Sequence, residues 1–288
     1  MTGVAVVTDS TSSLAPGLTA LTDVRVIPLQ VVIDGVSRSE GEVGPAEVAA
    51  ALRCGRRVST SRPSAEVIRA TYAGLVEEGF TDIVSVHLSG AISGTVAAAE
   101  LAAAALVASE PGLVIRVLDT RVIAMASGFA ALAGAAAARS GAEVDEVAAV
   151  VARRAAASST WFYVEDLEHL RRGGRISAAT AALGSALAVK PLLTVREGSI
   201  QTLERVRTTA RAVARLEELA LGAVPPAGGE PPEIAVHHLD DAAGAHQLAG
   251  RLAAAVPGVA PPVVSEVSAA LGVHVGPGTL GVVVSPVV

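Results

Sequence analysis

Through the first half of the chain, short β-branched runs at 4–8, 24–33, 83–88 and 114–119 alternate with helical patterns at 65–78, 93–108, 122–138 and 144–156. That rhythm predicts a parallel sheet with crossover helices, because parallel neighbours need a long return connection. Ser64 stands where the first of these helices needs an N-cap. From residue 158 the pattern changes. Strand-like runs at 161–165, 190–196 and 200–205 surround one helical stretch, 178–189, and REGS at 196–199 has the composition of a hairpin turn. Helices fit 209–221 and 242–255, with a proline- and glycine-rich connector at 222–232. The uncharged segment 267–288 is interrupted by glycines and reads as two strands joined by a turn. The expected fold is α/β in two domains: a parallel-sheet α/β domain at 1–157 and an α+β domain with a mixed sheet at 158–288. A ligand cleft between them is expected.

Composition narrows the function. Of 288 residues 51% are hydrophobic, enough for a large core and too many for a disordered chain. The 22 basic and 28 acidic residues leave a net charge of -6, which argues against a nucleic-acid partner. Few aromatics remain for stacking bases. Cys54 is the only cysteine, so no internal disulfide forms, and a reducing cytoplasm is the natural setting. The opening MTGVAVVTDST lacks a basic leader region. The uncharged run 122–138 is mostly alanine and glycine and reads as a buried helix. In HHLDD, His237 and His238 point to opposite faces of a strand and the aspartates suit a helix cap, so capping accounts for them better than a metal. There is no Walker loop, and no cofactor is expected.

Four segments carry candidate chemistry. In STSRPS (59–64) three hydroxyls precede Pro63 and a helix start, an arrangement that suits a carboxylate or phosphate as well as ordinary capping. LSGAISGT (88–95) follows a parallel strand at its carboxyl end, where ligands gather; Ser93 offers a hydroxyl and Gly94 an open backbone. In RRGGRIS (171–177) the glycines end a helix and project Arg175, while Arg205 and Arg207 alternate along a later strand end. VHVGPGTLG (273–281) contains a glycine pattern without the helix a dinucleotide needs, and reads as a turn exposing His274. Ser93 lacks the flanking glycines of an esterase elbow, so a Ser93 and His274 dyad is the alternative, enzymatic reading. TDSTSS (8–13) is a hydroxyl-rich strand end that borders the expected cleft.

The order of these segments resembles the DegV family over nearly the whole chain. The match runs through TDST, VIPLQVVIDG (26–35), TSRPS, the SGT of LSGAISGT, VLDT (117–120), FYVEDLEHLRRGGRIS (162–177), KPLLTVREGSI (190–200), RVRT (205–208) and HVGPGTLG. The resemblance implies a non-enzymatic protein that holds a long-chain fatty acid between its domains. It implies a separate ATP-dependent fatty acid kinase subunit that phosphorylates the presented carboxylate for phospholipid synthesis, with room for transient membrane contact during lipid exchange. By motif, Thr60, Ser61, Ser93, the Gly94 backbone and His274 would hold the carboxylate, and Arg175, Arg207 and His274 would lie toward the partner. Gly90, Arg62 and Val273 depart from residues common in the family. About 16 carbons at ~0.8 kcal/mol per methylene give on the order of 12 kcal/mol gross, before association costs.

Overall fold

The computed structural model describes residues 3–15, 17, 18, 22–176, 189–225 and 230–288. The first half comprises β1 (Val4–Asp9), a 3-10 turn at Ser10–Ser12, β2 (Arg25–Ile27), β3 (Gln30–Ile33), β4 (Val36–Ser39), α1 (Pro45–Arg53), β5 (Val58–Ser61), α2 (Ala65–Glu77), β6 (Asp82–His87), α3 (Thr95–Val107), β7 (Val114–Asp119), α4 (Met125–Arg139) and α5 (Val144–Ala157). The second comprises β8 (Ser159–Tyr163), α6 (Glu168–Arg172), β9 (Lys190–Arg196), β10 (Ser199–Val206), α7 (Thr209–Gly222), β11 (Glu233–His238), α8 (Ala242–Ala255), β12 (Val263–Glu266), α9 (Ala269–Val275) and β13 (Leu280–Ser285).

Strands β2, β1, β6 and β7 form a parallel sheet in that order. Its central strands are apolar on both faces because both are covered. Ala5 and Val7 meet α2 and α3 through Ile68, Tyr72, Ala99 and Leu106. Val6 points the other way, to Phe129 of α4 and Val147 and Val151 of α5. The run 122–138 is thus largely a core helix, and among the described residues no helix is long and apolar enough to cross a membrane.

The second sheet is mixed, in the order β10, β9, β8, β13, β11, β12, with only β11 and β12 parallel. Helices α7 and α8 cover one face through Leu216, Leu248 and Leu252. The β9–β10 turn has φ 50° at Glu197 and 79° at Gly198, the left-handed pair that a two-residue hairpin requires.

Three expectations change. Segment 24–33 is two strands in two sheets: Pro28 has no N–H for a ladder, β2 stops at Ile27, and β3 pairs with β4 and β5 in a separate antiparallel sheet. Segment 267–288 begins with a helix. Ser268 Oγ accepts the Leu271 N–H, Gly276 at φ 77° closes the C-terminal end, and only β13 follows as a strand. Arg207 lies in a bend beyond β10, so it does not share a strand face with Arg205. The helical stretch expected at 178–189 falls outside the described residues except for Val189.

Helix α9 crosses between the halves. Ala269 and Val273 pack with Val31, Ile33, Val48 and Ala51 against the three-stranded sheet. Glu40, beyond β4, accepts the Ala270 N–H at 2.7 Å and the Ser10 hydroxyl. Burial raises the Glu40 carboxyl above its ordinary value despite these donors. His274 is therefore presented by an anchored helix.

Candidate functional site

The motif residues meet around an open cleft of about 830 Å³ whose lining includes Val58, Ser59, Thr60, His169, Arg172, Gly173, Arg175 and His274. Strand β5 alternates its side chains, so Thr60 is half-buried toward α9 while Ser61 is exposed on the other face. Thr60 Oγ1 lies 2.9 Å from His274 Nε2. The other imidazole edge packs on Gly173, where an added Cβ would stand 2.2 Å from His274 Nδ1. Gly173 O accepts from the Arg175 guanidinium, whose Nε donates to Ile92 O at 3.1 Å.

Two residues beyond Ile92, Gly94 lies beneath Arg62: a Cβ there would be 2.9 Å from the Arg62 Nη1. Arg62 follows Ser61, so the contacts close into a ring running Thr60, His274, Gly173, Arg175, Ile92, Gly94 and Arg62. Four segments far apart in sequence are thus joined by contacts, and three of them line the cleft. Ser93 Oγ is 2.8 Å from Thr95 Oγ1 at the start of α3, which has no side-chain cap. That end leaves backbone N–H groups with the positive pole of the helix.

Burial holds the His274 pKa at about 4, with Arg175 and His169 adding repulsion, so the ring is neutral near pH 7. His274 Nδ1 is buried without a hydrogen-bond partner. The cleft is nevertheless basic. Its lining includes Arg56, Arg57, Arg172 and Arg175 but one carboxylate, Asp34, already bonded to Arg56 Nε at 2.7 Å. Burial lowers the Arg175 pKa from its ordinary value, which still leaves a cation at neutral pH.

The loop at 88–95 is fastened from several sides. Asp119 Oδ1 accepts the Gly90 N–H at 3.1 Å and the Arg121 N–H at 2.9 Å, which gives VLDT a structural role. A side chain at Gly90 would meet Asp119 Oδ2 at 2.8 Å. Ser89 Oγ donates to Gly198 O at 2.7 Å, tying the loop to the hairpin of the other sheet. Behind it lies an aliphatic layer that includes Leu88, Ile123, Val164, Leu170, Leu193 and Leu271. Part of this layer, Ile123, Phe162, Val267, Leu271 and Val275, lines a void of about 30 Å³.

Of the expected site residues, Thr60, Arg175 and His274 line the cleft, and Ser93 and Gly94 join it through Ile92 and Arg62. Ser61 and Arg207 are exposed and outside the lining. Ser93 and His274 are each bonded to a different threonine and form no dyad. TDSTSS does not border the cleft: Thr8, Asp9, Thr11, Ser12 and Ser13 are buried. HHLDD caps α8 through Asp241, which accepts the Gly244 N–H at 3.0 Å; no metal-binding cluster occurs among the described residues. His169 was missed because nothing in EHLRR separates it from a surface helix. The only hint was Gly276, whose added Cβ would lie 2.4 Å from the His169 ring.

A family model described as an uncharacterised protein of the DegV family matches residues 3–287. A DegV domain-containing protein of Streptomyces coelicolor is 49% identical over 283 residues, covering 98% of each chain. Among solved structures, a DegV family protein of Thermus thermophilus described as fatty acid binding matches with TM-score 0.86 and 32% identity over 99% of each chain. DegV of Bacillus subtilis, described as a fatty acid binding protein, matches with TM-score 0.86 and 29% identity over 99% of this chain and 100% of its own.

Proposed function

Because the chain belongs to the DegV family, we propose that it is a non-catalytic carrier that binds a long-chain fatty acid between residues 1–157 and 158–288. It presents the carboxylate to a separate ATP-dependent kinase subunit in the cytoplasm, for acyl phosphate formation and phospholipid synthesis, and exchanges lipid during transient membrane contact. The carrying observation is the ring of polar groups at the mouth of an aliphatic layer. Thr60, Ser93, the Gly94 backbone and His274 hold the head group, with Ser61 at the rim. A neutral His274 hydrogen-bonds the carboxylate, and Arg62 and Arg175 supply positive charge. The hydrocarbon parts the aliphatic side chains, enlarging the 30 Å³ void as it enters.

Purified protein, denatured and extracted, should release fatty acid detectable by mass spectrometry. Protein repeatedly free of lipid, with no acyl binding in titration, would refute the carrier reading. Ser93→Ala should weaken palmitate binding about five-fold, the worth of roughly one hydrogen bond. Arg207→Ala should leave palmitate affinity unchanged and slow acyl phosphate formation by the kinase. Equal effects on binding and phosphorylation would place Arg207 at the ligand instead.

A further inference from the structure

The TDST segment contributes nothing to the cleft lining, yet it holds a buried carboxylate. Asp9 ends β1 and is 1% exposed. Its Oδ1 accepts the Thr11 N–H at 3.1 Å and the Thr11 hydroxyl. Its Oδ2 lies 2.9 Å from His87 Nδ1 and accepts the Leu88 N–H at 3.2 Å. His87 ends β6, and Leu88 is the first residue of the loop that carries Ser93 and Gly94. On the far side of the imidazole, Nε2 is 2.8 Å from Ser85 Oγ, which accepts from the Tyr72 hydroxyl at 2.8 Å.

We propose that Asp9 is a positioning residue for the head-group loop, acting through His87 and the Leu88 N–H. The inference rests on the carrier reading above and goes beyond it, since Asp9 touches no ligand. A capping role for the 3-10 turn needs only Oδ1. Oδ2 is spent on the adjacent strand, at the point where the chain leaves the sheet and turns toward Ser89 and Ser93. An asparagine cannot serve both: its amide faces a pair of donors whichever way it is flipped.

The test compares palmitate with 1-hexadecanol, which shares the hydrocarbon and lacks the charge. Asp9→Asn should lower palmitate affinity about ten-fold and change hexadecanol affinity less than two-fold. A residue with only a structural role would not alter that ratio. His87→Asn keeps a donor near the Nδ1 position and should remain near wild type. His87→Gln moves the donor to the other end of the ring and should behave as Asp9→Asn. If Asp9→Asn fails to fold, the two His87 variants decide. Equal losses for both ligands, unchanged palmitate affinity, or indistinguishable His87 variants would overturn the positioning role while leaving the carrier reading intact. Wild-type protein that binds neither ligand would overturn both.

Discussion

Gly173→Ala should lower palmitate affinity at least thirty-fold, and its neighbour Gly174→Ala should leave affinity unchanged. The two glycines are needed for different reasons. Gly173 has φ -71° and ψ -13°, an ordinary helical conformation that alanine adopts freely. A methyl there would fall 2.2 Å from His274 Nδ1 and 2.7 Å from its Cε1, well inside contact distance. The imidazole would have to swing away from Thr60 and into the cleft. Overpacking of this kind costs about 1–3 kcal/mol, and displacing a head-group contact adds to it. Gly174 meets nothing within 4 Å but has φ 70°, so alanine there should cost about 1 kcal/mol of folding stability through the backbone alone. Isothermal titration and urea denaturation of the pair would separate the effects. Unchanged palmitate binding in Gly173→Ala would remove His274 from the site.

Acid should weaken the protein between about pH 6.5 and pH 4, and His237→Gln should remove much of that loss. His237 projects from β11 into the first half of the molecule. Its Nε2 accepts the Met125 N–H at 3.2 Å, and its Nδ1 lies 3.1 Å from Ser265 Oγ. The ring caps α4, whose own N-cap is Ala124, and it carries its proton on Nδ1. Burial, reinforced by the neighbouring His238, lowers its pKa to about 4, although the Ser265 contact opposes the shift. The folded value lies below the unfolded one, so the stabilisation is complete above the unfolded value and is lost as pH falls. A displacement of this size is worth roughly 3 kcal/mol by pH 4. Glutamine retains an acceptor for Met125 but does not titrate. Urea midpoints at pH 7 and pH 4 would test it; an equal acid loss in the variant would assign the effect elsewhere, His274 being the next candidate.

The parallel sheet was legible because β1 and β6 are covered on both faces and so read as largely apolar runs without strict alternation. The three-stranded sheet was not. Its strands are four residues each, and VSTS at Val58–Ser61 signals capping as strongly as pairing. Helix α9 was hidden for a related reason: at seven residues it is too short for a helical period, and Gly276, Gly278 and Gly281 at and beyond its end suggested a turn. The expected site residues were visible as motifs, but their coming together depends on contacts such as Thr60 with His274, which are 214 positions apart. Strand alternation alone could have warned that Thr60 and Ser61 face opposite ways. Asp9 was read as a cleft residue because its burial arises from pairing with β6, which no local pattern expresses.

Strand β13 lies between β8 and β11, near the middle of its sheet, although it follows both in the sequence. The parallel sheet is complete once residue 119 has emerged, whereas the mixed sheet and the imidazole-bearing helix wait for residues 269–285. A nascent chain therefore carries a half-built apolar sheet until β13 has emerged, the interval in which it is most open to misassembly.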